Sequence, residues 1–149
     1  MTKISKKYIA GFIDGEGCFC LSKNQAYYRK EKRKFIFVPE FTITNTNLEV
    51  IKLILQYFKD IPIKVKLRTR IEEPNKPQYQ IQAGGRDRVL AIINHFIKYL
   101  IVKKEIASKM KEYILSRKSK DYLHSSYTED EIELANEIRK LNRRGPINR

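Results

Sequence analysis

The chain has 149 residues, with 31 Lys and Arg against 17 Asp and Glu, and a formal net charge of +14. Its length fits one domain able to bury a core, and 42% hydrophobic content sets it apart from disordered chains. The basic excess points to a polyanionic partner, and no apolar run approaches the roughly 18 residues needed to span a bilayer.

The opening MTKISKKYIAGF is basic, but its apolar stretch is brief and ends at Asp14. It reads as mature structure, with an intracellular setting, and not as a signal peptide. Ile4, Tyr8 and Phe12 recur at spacing four beside Ile9 and Ile13, which predicts a helix over 4–14 stopped by Gly15 and Gly17. A short strand over 18–22 follows and runs into polar residues. Cys18 and Cys20 would share one face of it, a poor geometry for a mutual disulfide. No second Cys or His cluster completes a zinc site, so both read as half-buried thiols in a reducing compartment.

Residues 27–34, YYRKEKRK, form a basic turn or strand end. Phe35, Phe37, Phe41 and Ile43 then mark a strand over 35–46, in which Pro39 favours an edge position or a bulge. Thr46 and Glu49 have the spacing of a capping box opening a helix to about Lys59. Over 63–71, Ile63, Val65, Leu67 and Thr69 alternate with Lys64, Lys66, Arg68 and Arg70. Over 78–83, Tyr79, Ile81 and Ala83 alternate with Gln78, Gln80 and Gln82. Gly84 and Gly85 lead to a helix over about 86–98, in which His95 reads as a packed side chain. Another helix fits 102–116. Thr128 and Glu131 open a last one to about Asn142, and the final RRGPINR reads as loose.

The predicted order αββαββα gives an α+β fold. Two hairpins share one antiparallel sheet, helices cover one face, and the other face is free. The whole of 1–149 is expected to be a single domain, with a core over about 4–116 and a helical extension over about 117–149. Basic residues spaced by two on one strand repel unless solvent or a polyanion screens them. Arg and Lys can reach guanine edges and Gln can pair with adenine, so Lys64, Lys66, Arg68, Arg70, Gln78, Gln80 and Gln82 read as a DNA-reading face.

Asp14 and Glu16 fall where the first helix ends, an unfavourable place for acids against the dipole. A divalent ion would compensate them, and oxygen ligands suit Mg²⁺. One chain offers a thin site, whereas two copies of Glu16 related by symmetry offer a better one. Ala10 and Gly11 are small enough to let two such helices pack closely.

The segment Ile9-Ala10-Gly11-Phe12-Ile13-Asp14-Gly15-Glu16-Gly17 resembles the signature of the LAGLIDADG homing endonucleases. Ala10, Gly11, Ile13, Asp14 and Gly17 are identical to it. The family's αββαββα core accounts for about 4–98. A single copy of the motif implies the subgroup that acts as a homodimer, with Ile9, Ala10, Phe12, Ile13 and Asp14 in the seam. The resemblance implies that Glu16 and the Gly15 carbonyl hold Mg²⁺, with Mn²⁺ as a substitute. It also makes Asn45, in place of the more familiar glutamine, and Lys103, with Lys104 as rival, the catalytic partners. Arg68 or Lys66 is the candidate for an arginine that reaches the site from the third strand. The DNA-contacting set extends to Cys20, Ser22, Asn24, Arg29, Lys30, Arg33, Glu40 and Thr42.

The implied activity is metal-assisted cleavage of both strands of duplex DNA at a long, partly palindromic site. The main alternative is a non-cleaving relative, such as an intron-splicing maturase or a regulator. A basic protein of membrane surfaces would explain the charge but not the motif.

Overall fold

The computed structural model describes residues 3–28, 31–118 and 127–142, and side chains outside 25–34. The elements run α1 (Lys6–Glu16), β1 (Gly17–Tyr28), β2 (Glu31–Asn45), α2 (Leu48–Asp60), β3 (Lys66–Arg70), β4 (Gln78–Gly84) and α3 (Arg86–Phe96). A short 3-10 turn (Ile97–Tyr99), α4 (Lys104–Arg117) and α5 (Glu129–Leu141) follow. The four strands form one antiparallel sheet in the order β1-β2-β4-β3. Among the described residues no helix is long and apolar enough to cross a membrane.

The strand alternation decides which sheet face is covered. Phe19, Phe41, Ile43 and Ile81 are fully buried and Ala83 nearly so. They meet Ile9, Ala10 and Ile13 of α1, Ile51, Ile54 and Phe58 of α2, and Val89, Ile92, Ile93 and Phe96 of α3 in one cluster. Phe19 and Phe41 are cross-strand partners with ring centroids 5.0 Å apart, the aromatic pairing that pins register. His95 is half-buried and shares a 2.7 Å hydrogen bond with Tyr57 Oη, and burial followed by the Lys6 charge lowers its pKa.

Several boundaries differ from expectation, each for a local reason. Helix α1 starts at Ser5, whose hydroxyl accepts from Tyr8 N at 3.1 Å, and it runs through Gly15 to Glu16. Gly17 is the glycine that ends it. A Cβ there would sit 2.7 Å from Ile13 O, so only glycine lets β1 leave so close under the helix. Strands β1 and β2 extend past the predicted ends. Pro39 sits within β2, but pairing with β4 begins only at Glu40, so the proline is at a local edge and its carbonyl accepts from Gly85 N.

The N-cap of α2 is Asn47, not Thr46. Its side chain accepts from Val50 N at 3.1 Å, consistent with the rank of Asn over Thr as a cap. Strand β3 is shorter than 63–71, and all five of its residues are exposed, Leu67 included. Leu67, on the inward side of this edge strand, is 44% exposed, so the described residues cover it only in part.

The expected capping box at Thr128 and Glu131 is present in full. Helix α5 adds Ala135 and Ile138 to the same core cluster. Tyr113 Oη donates to Phe37 O at 3.0 Å, and Tyr127 Oη accepts from Phe37 N at 2.9 Å, so α4 and the start of α5 grip one residue of β2. Arg117 is fully buried, stacks 4.0 Å over the Tyr127 ring and pairs with Glu131, 5% exposed, at 3.3 Å. Removing one partner takes the counter-charge from a buried ion, a loss of about 3–5 kcal/mol. Glu131→Ala removes that counter-charge together with the Glu131 half of the capping box, and is expected to lower the unfolding free energy in urea by about 3 kcal/mol or more.

Candidate active site and nucleic-acid interface

The uncovered sheet face is ordered in rows. Cys18, Thr42, Gln82 and Lys66 are successive cross-strand partners spanning all four strands. On one side lies the row Thr44, Gln80 and Arg68, and on the other Cys20, Glu40 and Gly84. Gln80 Nε2 donates to Thr44 Oγ1 at 3.3 Å, which orients the amide across the strands. Thr44 was not among the expected contacts, although the alternation that gave Glu40 and Thr42 also reaches it.

Lys66, Arg68 and Arg70 are exposed on one face of β3, opposite Gln82, Gln80 and Gln78. Arg70 lies 4.0 Å from Glu72, an exposed pair of little energetic weight. Lys64 departs from the expected row. It precedes β3 and lines a groove with Phe58, Asp87 and Arg88 between α2 and α3. Ser22 and Asn24 continue the outward face of β1. Arg29 and Lys30 lie outside the described residues, and Arg33 is described in backbone only.

The acids of the motif part company. Asp14 Oδ2 accepts from Ile101 N and Oδ1 from Lys103 N, both at 2.9 Å. Two backbone donors thus meet the Asp14 charge at the helix end, while the resemblance assigns the metal to Glu16 and the Gly15 carbonyl. The same bonds tie the residues before α4 to the end of α1. Lys103, half-buried, takes the N-cap position of α4, while Lys104 is exposed. Glu16 is exposed at the last position of α1, immediately before Gly17 enters the sheet. Ile13 O is capped by Gly17 N, the last helical donor, so the Gly15 carbonyl lies beyond the helix's own supply of N–H groups.

Among the described residues no group of three or more His, Cys, Asp or Glu could hold a metal ion. The donors at the end of α1 are one free carboxylate and a carbonyl. These hard oxygens suit Mg²⁺, which takes one or two carboxylates plus phosphates. They fit a share of a site, not a complete one. Asn45 ends β2, and its Oδ1 accepts from Asn47 N at 2.7 Å, which leaves the amide nitrogen as its outward-acting group.

Three of the residues expected in a seam on α1 are spent elsewhere. Ile9, Ala10 and Ile13 are fully buried in the chain's own core and have no surface to offer a partner. Helix α1 presents Lys7, Tyr8, Gly11, Gly15 and Glu16, with Phe12 half-buried and stacked on Tyr8 at 6.4 Å. A Cβ at Gly11 or Gly15 would meet nothing within 4 Å, so neither glycine is demanded by the chain itself. Ile101 and Val102, held by Asp14 beside this helix, are 83% and 71% exposed. An apolar residue early in a sequence helix gives no sign of which face is spent on the core; the neighbouring exposed pair gave no periodic signal at all.

A family model described as LAGLIDADG endonuclease matches residues 9–128. The fold is similar to that of the homing endonuclease I-TnaI, with a TM-score of 0.71, 19% identity, and coverage of 97% of this chain and 92% of that one. It is similar to the archaeal intron-encoded homing endonuclease I-Vdi141I, solved complexed with DNA, at a TM-score of 0.71, 24% identity, and coverage of 97% and 87%. The homing endonuclease I-CvuI, solved in complex with its target in the presence of Ca, gives a TM-score of 0.65, 15% identity, and coverage of 95% and 83%. No curated sequence matches the chain. Motif, strand order and a match over most of the length agree: the chain belongs to the LAGLIDADG endonuclease family.

Proposed function

We propose that the protein is a homing endonuclease that cuts both strands of duplex DNA at a long, partly palindromic site, as a homodimer. The observation that carries this reading is the exposed Glu16 carboxylate at the end of α1, beside a sheet face ordered in rows of Thr, Gln, Lys and Arg. Such a face can lie in a major groove, where cations hold phosphates and Gln and Arg read base edges. The DNA-bound I-Vdi141I and I-CvuI structures support the same use of this fold. An intact Glu16 favours a nuclease over a non-cleaving maturase.

Two chains supply what one lacks. Gly11 and Gly15, unneeded within the chain, allow close approach of a second α1, and exposed Ile101 and Val102 add apolar area beside them. A two-fold axis there would bring two Glu16 carboxylates together and join two sheets into one saddle. The near-complete coverage of I-TnaI supports a chain that holds one unit of this kind.

Glu16 and the Gly15 carbonyl would hold Mg²⁺, with Mn²⁺ as a substitute, and the bound ion supplies water activation and charge neutralisation at the phosphate. The I-CvuI–DNA complex, solved in the presence of Ca, supports a divalent ion in this role. Lys103, fixed through Asp14, would place its ammonium against the charge that grows on the phosphate oxygens. Asn45 would orient the attacking water through its amide nitrogen. Lys66 and Arg68, in the rows on either side of Gly17, would hold the backbone in line.

Glu16→Gln is expected to reduce plasmid cleavage by on the order of 10³-fold or more while leaving target binding in a gel-shift assay; normal cutting by this variant would overturn the assignment. Gly11→Leu is expected to fold, sediment as a monomer and cut nothing; a cleaving dimer would remove the proposed seam. Lys66→Ala is expected to reduce the log–log salt slope of duplex binding by about 0.9, or about two such steps per dimer, measured by fluorescence anisotropy.

A further inference from the structure

Three glutamines alternate along β4, and one of them is held. Gln78, Gln80 and Gln82 pair across the ladder with Arg70, Arg68 and Lys66 of β3. On the β2 side Gln80 faces Thr44 and Gln82 faces Thr42. Gln80 Nε2 donates to Thr44 Oγ1 at 3.3 Å. Among the described residues no such bond fixes the amide of Gln78 or Gln82, although Thr42 stands beside Gln82 as Thr44 stands beside Gln80. Thr44 and Gln80 are both half-buried, so water competes for their bond less than at an exposed site.

A glutamine amide has two N–H donors on one atom and an acceptor oxygen on another. Unheld, it turns over and offers either end. Thr44 engages one N–H, which leaves one N–H and the oxygen in a fixed order. Arg68, next in the row beyond Gln80, carries donors alone. The oxygen of the amide therefore belongs on the β3 side and the nitrogen on the β2 side. In the major groove adenine presents an acceptor and a donor side by side, N7 and the N6 amino group. Guanine offers two acceptors, cytosine a donor and thymine an acceptor beside its methyl group. A freely turning amide makes one bond to any of these bases. A held one makes two to adenine and sets its oxygen against guanine O6.

We propose that Thr44 is a positioning residue for base selection: by holding the Gln80 amide in one orientation, it makes Gln80 select adenine at one base pair of each half-site. This assignment rests on the DNA-binding reading. It makes readout along β4 uneven, strict at Gln80 and permissive at Gln82, whose amide turns. The order is set before DNA arrives, so binding does not have to freeze it.

The test is selection of bound duplexes from a randomised pool by the full chain without divalent ion, followed by sequencing. Gln80→Ala identifies the base pair that Gln80 reads, as the position where a preference for adenine is lost. There the unsubstituted protein is expected to favour adenine over each other base by about fivefold or more, as a bidentate pair does. Thr44→Val keeps the branched shape and the strand preference but removes the oxygen. It is expected to reduce this preference to about twofold or less, the worth of one neutral hydrogen bond, while preferences at other positions persist. Thr44→Ser, which keeps the hydroxyl, should retain the adenine preference. Circular dichroism checks that each variant is folded. An undiminished preference in Thr44→Val, a loosening of every position alike, or a Thr44→Ser that behaves as Thr44→Val would overturn the positioning role. So would loss of a preference for another base, or of none, in Gln80→Ala. Absence of any base preference in the unsubstituted protein would instead overturn the DNA-reading face.

Discussion

The two hydrogen bonds that the Asp14 carboxylate accepts from the backbone of Ile101 and Lys103 fix the geometry on which everything else at this end of the molecule depends. A helix C-terminus is electrostatically hostile to a carboxylate. Here the hostility is offset by donors that a turn between the 3-10 segment and α4 would otherwise leave unpaired. The bonds are charge-assisted and therefore stronger than neutral ones. They couple three features that are far apart in sequence: the end of α1 with Glu16, the start of α4 with Lys103, and the exposed Ile101 and Val102 between them. Moving any one of them moves the others.

Around that junction the chain divides its motif residues between two masters. Ile9, Ala10 and Ile13 serve the chain's own core, and Gly17 serves the close passage of β1 beneath Ile13. Gly11 and Gly15 serve nothing within the chain, and Glu16 projects to solvent. Nine consecutive residues thus carry packing, a backbone constraint and an uncommitted surface at once. A helix can do this because its period distributes neighbours in sequence onto different faces.

Periodicity made much of the fold legible before any coordinates. Period-two alternation in 78–83 and around Phe35–Ile43 placed the buried and open faces of the sheet correctly, since a one-residue slip would invert both. It failed for Leu67, because alternation says which residues share a face and nothing of whether a layer covers it. The cap of α2 shifted by one because Asn47 competes successfully with Thr46 for the same role. What stayed hidden were contacts across long stretches of chain. The buried Arg117–Glu131 pair, the grip of Tyr113 and Tyr127 on Phe37, and the Asp14 bonds join residues that no local pattern relates. The candidate site followed the same division. Glu16 and the basic row are local patterns, but which face of α1 is free depends on what α3 and the sheet take from it.

Strand β3 gives the molecule an unequal tolerance to change. All five of its side chains are exposed, and among the described residues it pairs with β4 alone. Strand β2 is held on both sides and alternates core residues with open ones. Substitutions at Lys66, Arg68 and Arg70 therefore meet almost no packing constraint, whereas the same number along β2 would be filtered by the core. A lineage can rewrite the chemistry of one quarter of this surface nearly free of folding selection while the scaffold holds still, so divergence in what the surface recognises should accumulate first on that strand.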